Sequence, residues 1–149
     1  MIAELTNESD FVFETLDSLL KSLAIQLGLH PQSQISVLIT TESRMEELHV
    51  EWMGESGATD VLSFPMDEVE PHSFSGNEME EAPLLGDLVL CPAFAQRQAL
   101  AAGHSTIAEM ELLTVHGVLH LLGYDHAEPE EEKVMFALQE ALLDKWRMN

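Results

Sequence analysis

The chain has 149 residues, 46% hydrophobic and 22% charged, an ordinary globular composition of one domain's size that excludes disordered and collagen-like classes. Its single cysteine, Cys91, excludes an internal disulfide and any multi-cysteine metal cluster, and it fits a reducing, intracellular compartment. Six Lys and Arg against 27 Asp and Glu give a net charge of −21, a field that repels nucleic acid and anionic membranes.

In chain order, residues 2–7 are expected to form a short edge strand. From Phe11 to Leu29 the apolar positions Val12, Leu16, Leu19, Leu20, Leu23 and Leu27 keep helical spacing, and Gly28 suits the exit. Ile35 to Thr41 is β-branched and reads as a strand. Ser43 with Glu46 forms a capping-box signature, followed by Met45, Leu48 and Trp52 on one helical face, and Gly54 to Gly57 breaks that helix. Thr59 to Pro65 (TDVLSFP) and Leu84 to Leu90 (LLGDLVL) read as further strands. Asp67 to Pro83, between them, is acidic without Lys or Arg, the composition of a solvated mobile loop.

Pro92 opens a helix to about Ala102, closed by Gly103. Thr106 and Glu109 form a second capping-box signature for a helix ending near Leu122. Pro129, followed by Glu130, Glu131 and Glu132, starts the last helix, with acids where the helix dipole favours them, and it runs to about Arg147. The order β-α-β-α-β-β-α-α-α predicts one α+β domain over residues 1–149, a mixed sheet of about four strands with helices packed against it.

Three of the seven histidines fall in the segment His116-Gly-Val-Leu-His120-Leu-Leu-Gly123-Tyr-Asp-His126. His116 and His120 lie one helical turn apart, so both imidazoles project from one face. Gly123 suits a left-handed helix stop, after which the chain turns back and His126 approaches the pair from the open side. Three neutral imidazoles converging at the end of a buried helix make a zinc-type site with a fourth position for water. Asp125 or a distant Glu is an alternative occupant of that position, and imidazole also suits nickel, copper and iron. The spacing is shared with the metzincin proteases. Those enzymes need Glu directly after the first His as general base, and Gly117 stands there.

The segment HGVLHLLGYDH (His116 to His126) resembles the signature of the YbeY family of bacterial metal-dependent endoribonucleases, also described as rRNA maturation factors. TDVLSFP, LLGDLVL and the early Asn7-Glu-Ser9 resemble further motifs of that family in the same order. The resemblance covers essentially the whole chain. It implies zinc held by His116, His120 and His126, and action on single-stranded RNA in 16S rRNA 3′-end maturation and ribosome quality control. Many members carry Arg before the Gly of the segment leading into TDVLSF; here Met53 holds that place.

Zinc held by three His brings the pKa of its water towards about 7 and polarises a phosphoryl oxygen. Asp125, beside a ligand, is the nearest candidate to orient a ligand or shuttle a proton; capping the turn after Gly123 is its alternative role. Arg97, Ser63 and Asp60 are the candidate substrate contacts. Arg97 is the only cation between Arg44 and Lys133, among nineteen acids, which excludes a broad phosphate-gripping patch there; a plain surface position is its alternative. Trp52, Phe64 and Tyr124 are candidate base-stacking aromatics, with core packing the alternative for Trp52 and Phe64.

Other readings of the same residues are a zinc peptidase, and a non-catalytic zinc-stabilised factor that docks its acidic surface on basic proteins of the small ribosomal subunit. The acidic start MIAELTNESD lacks the basic and apolar regions of a signal peptide. Leu112 to Leu122 is too short to span a bilayer. The expectation is a cytoplasmic protein without membrane or DNA partners.

Overall fold

The structure is a computed structural model that describes residues 1–54 and 59–148. Its elements are β1 (Ile2–Asn7), α1 (Leu16–Gln26), β2 (Gln34–Ile39), α2 (Glu42–Met53), β3 (Val61–Pro65), β4 (Leu84–Leu90), α3 (Pro92–Ala102), α4 (Thr106–Leu121) and α5 (Pro129–Arg147). The four strands form one mixed sheet in the order β1-β2-β4-β3. β1, β2 and β4 run parallel, and β3 lies antiparallel to β4 at the far edge. This is the expected α+β arrangement.

The pattern of burial explains the layering. β4 is central, and Leu85, Leu88, Val89 and Leu90 are all buried. On β2, Ile35, Val37 and Ile39 join a large core with the apolar residues of α1, α4 and α5. Leu38, facing the other way, joins a smaller cluster with Met45 and Leu48 of α2, Leu62, Val89 and Cys91. Period-2 alternation thus sends the side chains of β2 and β4 to two different cores. Glu111 of α4 ties the large side together: it accepts from the Thr15 hydroxyl at 2.8 Å and pairs with Arg147 at 3.6 Å.

Several boundaries differ from the sequence reading, each for a local reason. α1 begins at Leu16 rather than Phe11. The Asn7 side chain accepts from the Ser9 amide and hydroxyl and donates to the Phe11 carbonyl, holding an intervening turn. Neither capping box forms as read. Thr41, with extended backbone, caps α2 by accepting from the Arg44 amide; Ser105 caps α4 by accepting from Ala108. Glu109 turns instead to His104, 3.0 Å away. β2 ends at Ile39; the Thr40 hydroxyl donates to Glu8 at 2.7 Å, and Thr41 serves as the cap of α2. Gly54 ends α2 in the left-handed region at φ 69°; Gly57 lies outside the described residues.

The acidic segment 67–83 is fastened at several points. His72 and Phe74 amides donate to the carbonyls of Leu27 and Gly28. Buried His30 accepts from the Gln32 amide through Nδ1, so its Nε2–H donates to the Glu80 carbonyl at 3.0 Å.

Candidate metal centre

α4 carries the chemistry because its surroundings allow few other placements. Ten of its 16 residues are buried, wedged between the sheet and the other helices. The approach is closest at Gly117, where an added Cβ would collide with Leu88 Cδ1 and lie 3.2 Å from Ser63 Oγ. Gly117 therefore seats α4 on β3 and β4. The same contact removes the peptidase base: a Glu at this position would drive into the sheet.

His116 and His120 emerge from α4 half-buried, with their Nε2 atoms 3.1 Å apart. Gly123 adopts φ 95°, and its amide and that of Tyr124 donate to the His120 and Leu119 carbonyls. That turn sends the chain back, and exposed His126 closes the triangle. The ligating nitrogens of the three residues all lie within 4.8 Å of one another, and no other side chain of the described residues joins this group.

α5 orients the triad from behind. Gln139 Oε1 lies 3.0 Å from His116 Nδ1; an amide oxygen only accepts, so Nδ1 carries the proton and Nε2 keeps its lone pair for the triad. The Phe136 ring packs on His116 and His126, with centroids 6.2 and 6.0 Å away. Burial lowers the pKa of both His116 and His120, and the neighbouring imidazoles lower them further. Asp60 and Asp125 pull the other way, on His116 and His120 respectively. Imidazoles held below their ordinary value of 6.5 are neutral near pH 7, the form that binds metal. This donor set, three imidazoles with one fixed in tautomer by an amide, fits a zinc-type ion with an open position.

A cavity of about 390 Å³ lies beside the triad, lined by the three histidines and by Met53, Thr59, Asp60, Val61, Leu62, Ser63 and Pro65. Asp60 Oδ1 accepts from the Val61 amide at 2.8 Å and from the Thr59 hydroxyl at 3.3 Å, which fixes the carboxylate at the cavity wall. The Ser63 hydroxyl donates to the Gly117 carbonyl at 3.2 Å, bracing β3 against α4. The structure thus brings Asp60 and Ser63 to the triad.

Two other candidates are not part of the cavity lining. Arg97 does not line the cavity: its guanidinium grips the Glu42 carboxylate, with NH2 to Oε2 at 2.9 Å, and lies over the Phe94 ring. Asp125 is exposed and accepts from the His126 amide at 2.7 Å, the geometry of a turn cap. Trp52 is 63% exposed rather than in the core; it meets Phe64 edge-on over the sheet face that α2 flanks. Gln139 and Phe136 were not legible beforehand, since their only signal is a shared α5 face whose opposite number no spacing reveals.

The sequence profile of the Endoribonuclease YbeY family matches residues 3–147. The chain belongs to this family. Endoribonuclease YbeY of Rhodococcus erythropolis strain PR4 is 50% identical over 148 residues, covering 98% of this chain and 82% of the relative. That of Mycolicibacterium smegmatis is 49% identical, with 98% and 83% covered. The solution structure of TM1509 from Thermotoga maritima superposes with a TM-score of 0.66 at 25% identity, over 99% of this chain and 93% of that one. In this YbeY-family chain the His116–His126 segment, read first as a sequence motif, is a spatial cluster.

Proposed function

We propose that this YbeY-family chain is a zinc-dependent endoribonuclease, specific for single-stranded RNA, acting in 16S rRNA 3′-end maturation and ribosome quality control in the cytoplasm. Family membership supports the nuclease class. The observation that carries the metal dependence is the convergence of three imidazole nitrogens within 4.8 Å beside an open cavity.

When bound there, zinc supplies Lewis acidity, acidifying water and polarising a phosphoryl oxygen. The chain's own residues do the rest. Gln139 holds the His116 ring in the ligating tautomer, and Phe136 packs on the same ring and on that of His126. Asp60, fixed at the wall, is the carboxylate we assign to proton handling; Asp125 shapes the turn that delivers His126. The Ser63 and Thr59 hydroxyls, which donate to the Gly117 carbonyl and to Asp60, keep oxygen lone pairs to accept from a sugar hydroxyl of the substrate. The acidic surface suits basic proteins of the small ribosomal subunit as partners. No helix among the described residues is long and apolar enough to cross a membrane.

The test compares zinc-loaded wild type with His120→Ala, prepared identically, on single-stranded RNA. Wild type cuts; the variant loses both bound zinc and cleavage. Equal cutting by both would overturn the reading.

A further inference from the structure

The cavity beside the triad holds no Lys or Arg among the described residues, and its one carboxylate is Asp60. The chain's six cations are accounted for elsewhere. Arg44, Arg97 and Arg147 are each paired with a glutamate, namely Glu47, Glu42 and Glu111. Lys21 lies on α1, and Lys145 lies near the far end of α5. Lys133 lies on the first turns of α5 and directly follows Glu130, Glu131 and Glu132. Glu132 sits one turn before Phe136, on the side of α5 that meets the triad, and exposed Asp125 directly precedes His126.

A cleft built this way reverses the usual electrostatics of RNA binding. A nuclease that grips phosphates with Lys and Arg releases counter-ions, and its affinity for single strands falls with log salt by a slope of about −0.7 per contact. Here no Lys or Arg of the described residues lines the cavity, so the release term is small, and the attraction that bound zinc would supply acts only on the phosphate at the triad. The other phosphates of the strand meet repulsion from a protein of net charge −21. Salt screens that repulsion, because the Debye length shrinks from about 10 Å at 0.1 M to about 3 Å at 1 M.

Resting on the endoribonuclease reading, we propose that the triad cleft takes single-stranded RNA whose phosphates are already neutralised by solution cations, so that binding and cleavage strengthen as ionic strength rises. Ionic strength thereby sets the working state of the site. The effect scales with the number of phosphates that approach the protein, not with the chemistry at the scissile bond.

The experiment uses the zinc-loaded protein with a fluorescently labelled single-stranded RNA oligonucleotide and with a dinucleoside monophosphate. Anisotropy reads binding and product formation reads kcat/KM. Between about 0.05 and about 0.5 M potassium chloride, kcat/KM and affinity for the oligonucleotide rise about threefold or more while the dinucleoside stays nearly flat. Met53→Lys, which puts a cation on the cavity wall, tightens binding at low salt and flattens the salt response. Affinity that falls with salt overturns the inference and leaves the nuclease reading standing. An equal rise for the dinucleoside also overturns it, since salt is then acting on the protein and not on the RNA approach. No binding or cleavage at any salt, with His120→Ala indistinguishable from wild type, overturns both.

Discussion

At the residue scale, the triad depends on side chains that never touch the substrate. Gln139 fixes the His116 ring from 3.0 Å away, and removing such an outer partner costs about 10–100-fold in metal affinity. Gln139→Leu is therefore expected to weaken zinc binding by that order, measured by competition with a chromogenic chelator, while the circular dichroism spectrum stays unchanged. The two half-buried imidazoles also make the metal-free protein acid-sensitive. Burial holds their folded pKa below the ordinary 6.5, so below that pH the unfolded chain binds more protons than the folded one. Their contribution is fully present above pH 6.5 and is lost as pH falls through the folded values. Denaturant titrations of the metal-free protein across that range are expected to show declining stability, with a shallower decline in His116→Gln.

Elements are placed by caps and close contacts that compete along short stretches of chain. Two hydroxyl residues could start α2, and the structure selects Thr41, whose backbone is extended at φ −85° and ψ 164°. Thr41→Ala is expected to lower stability by about 1 kcal/mol and Ser43→Ala by much less; thermal melts of the two variants separate the assignments. The same competition moved the cap of α4 to Ser105. Element existence and type were legible throughout: β2 alternates with period 2, and α3, α4 and α5 are marked by the Pro, Ser, Thr and Gly residues at their ends. The ends were less so, since neighbouring Ser, Thr and Asn side chains offer nearly equivalent hydrogen bonds.

For the whole molecule, the dominant quantity is charge. A net charge of −21 on 149 residues stores self-repulsion in the compact state that the unfolded chain relieves. The melting temperature is expected to rise with sodium chloride from low to moderate concentration, followed by calorimetry; a melting point that ignores salt would show the repulsion to be negligible. Arg44–Glu47 and Arg97–Glu42 are surface contacts that offset little of it, whereas Arg147 reaches buried Glu111. Layering is the other molecular-scale feature, since α4 reaches the sheet only because Gly117 lets it approach Leu88 and Ser63.

The amino-acid sequence by itself determined the order of elements, the histidine triad and the family, because each is written in local spacing: one helical turn from His116 to His120, then a glycine stop, then His126. Tertiary structure alone decided what surrounds that triad. It brought Asp60 and Ser63 to the cavity, sent Arg97 to Glu42, left Asp125 as a turn cap, and set Gln139 and Phe136 behind the imidazoles. Those placements depend on how α5, β3 and α3 pack against α4, and packing joins residues far apart in the chain through shape and burial, which no periodicity records.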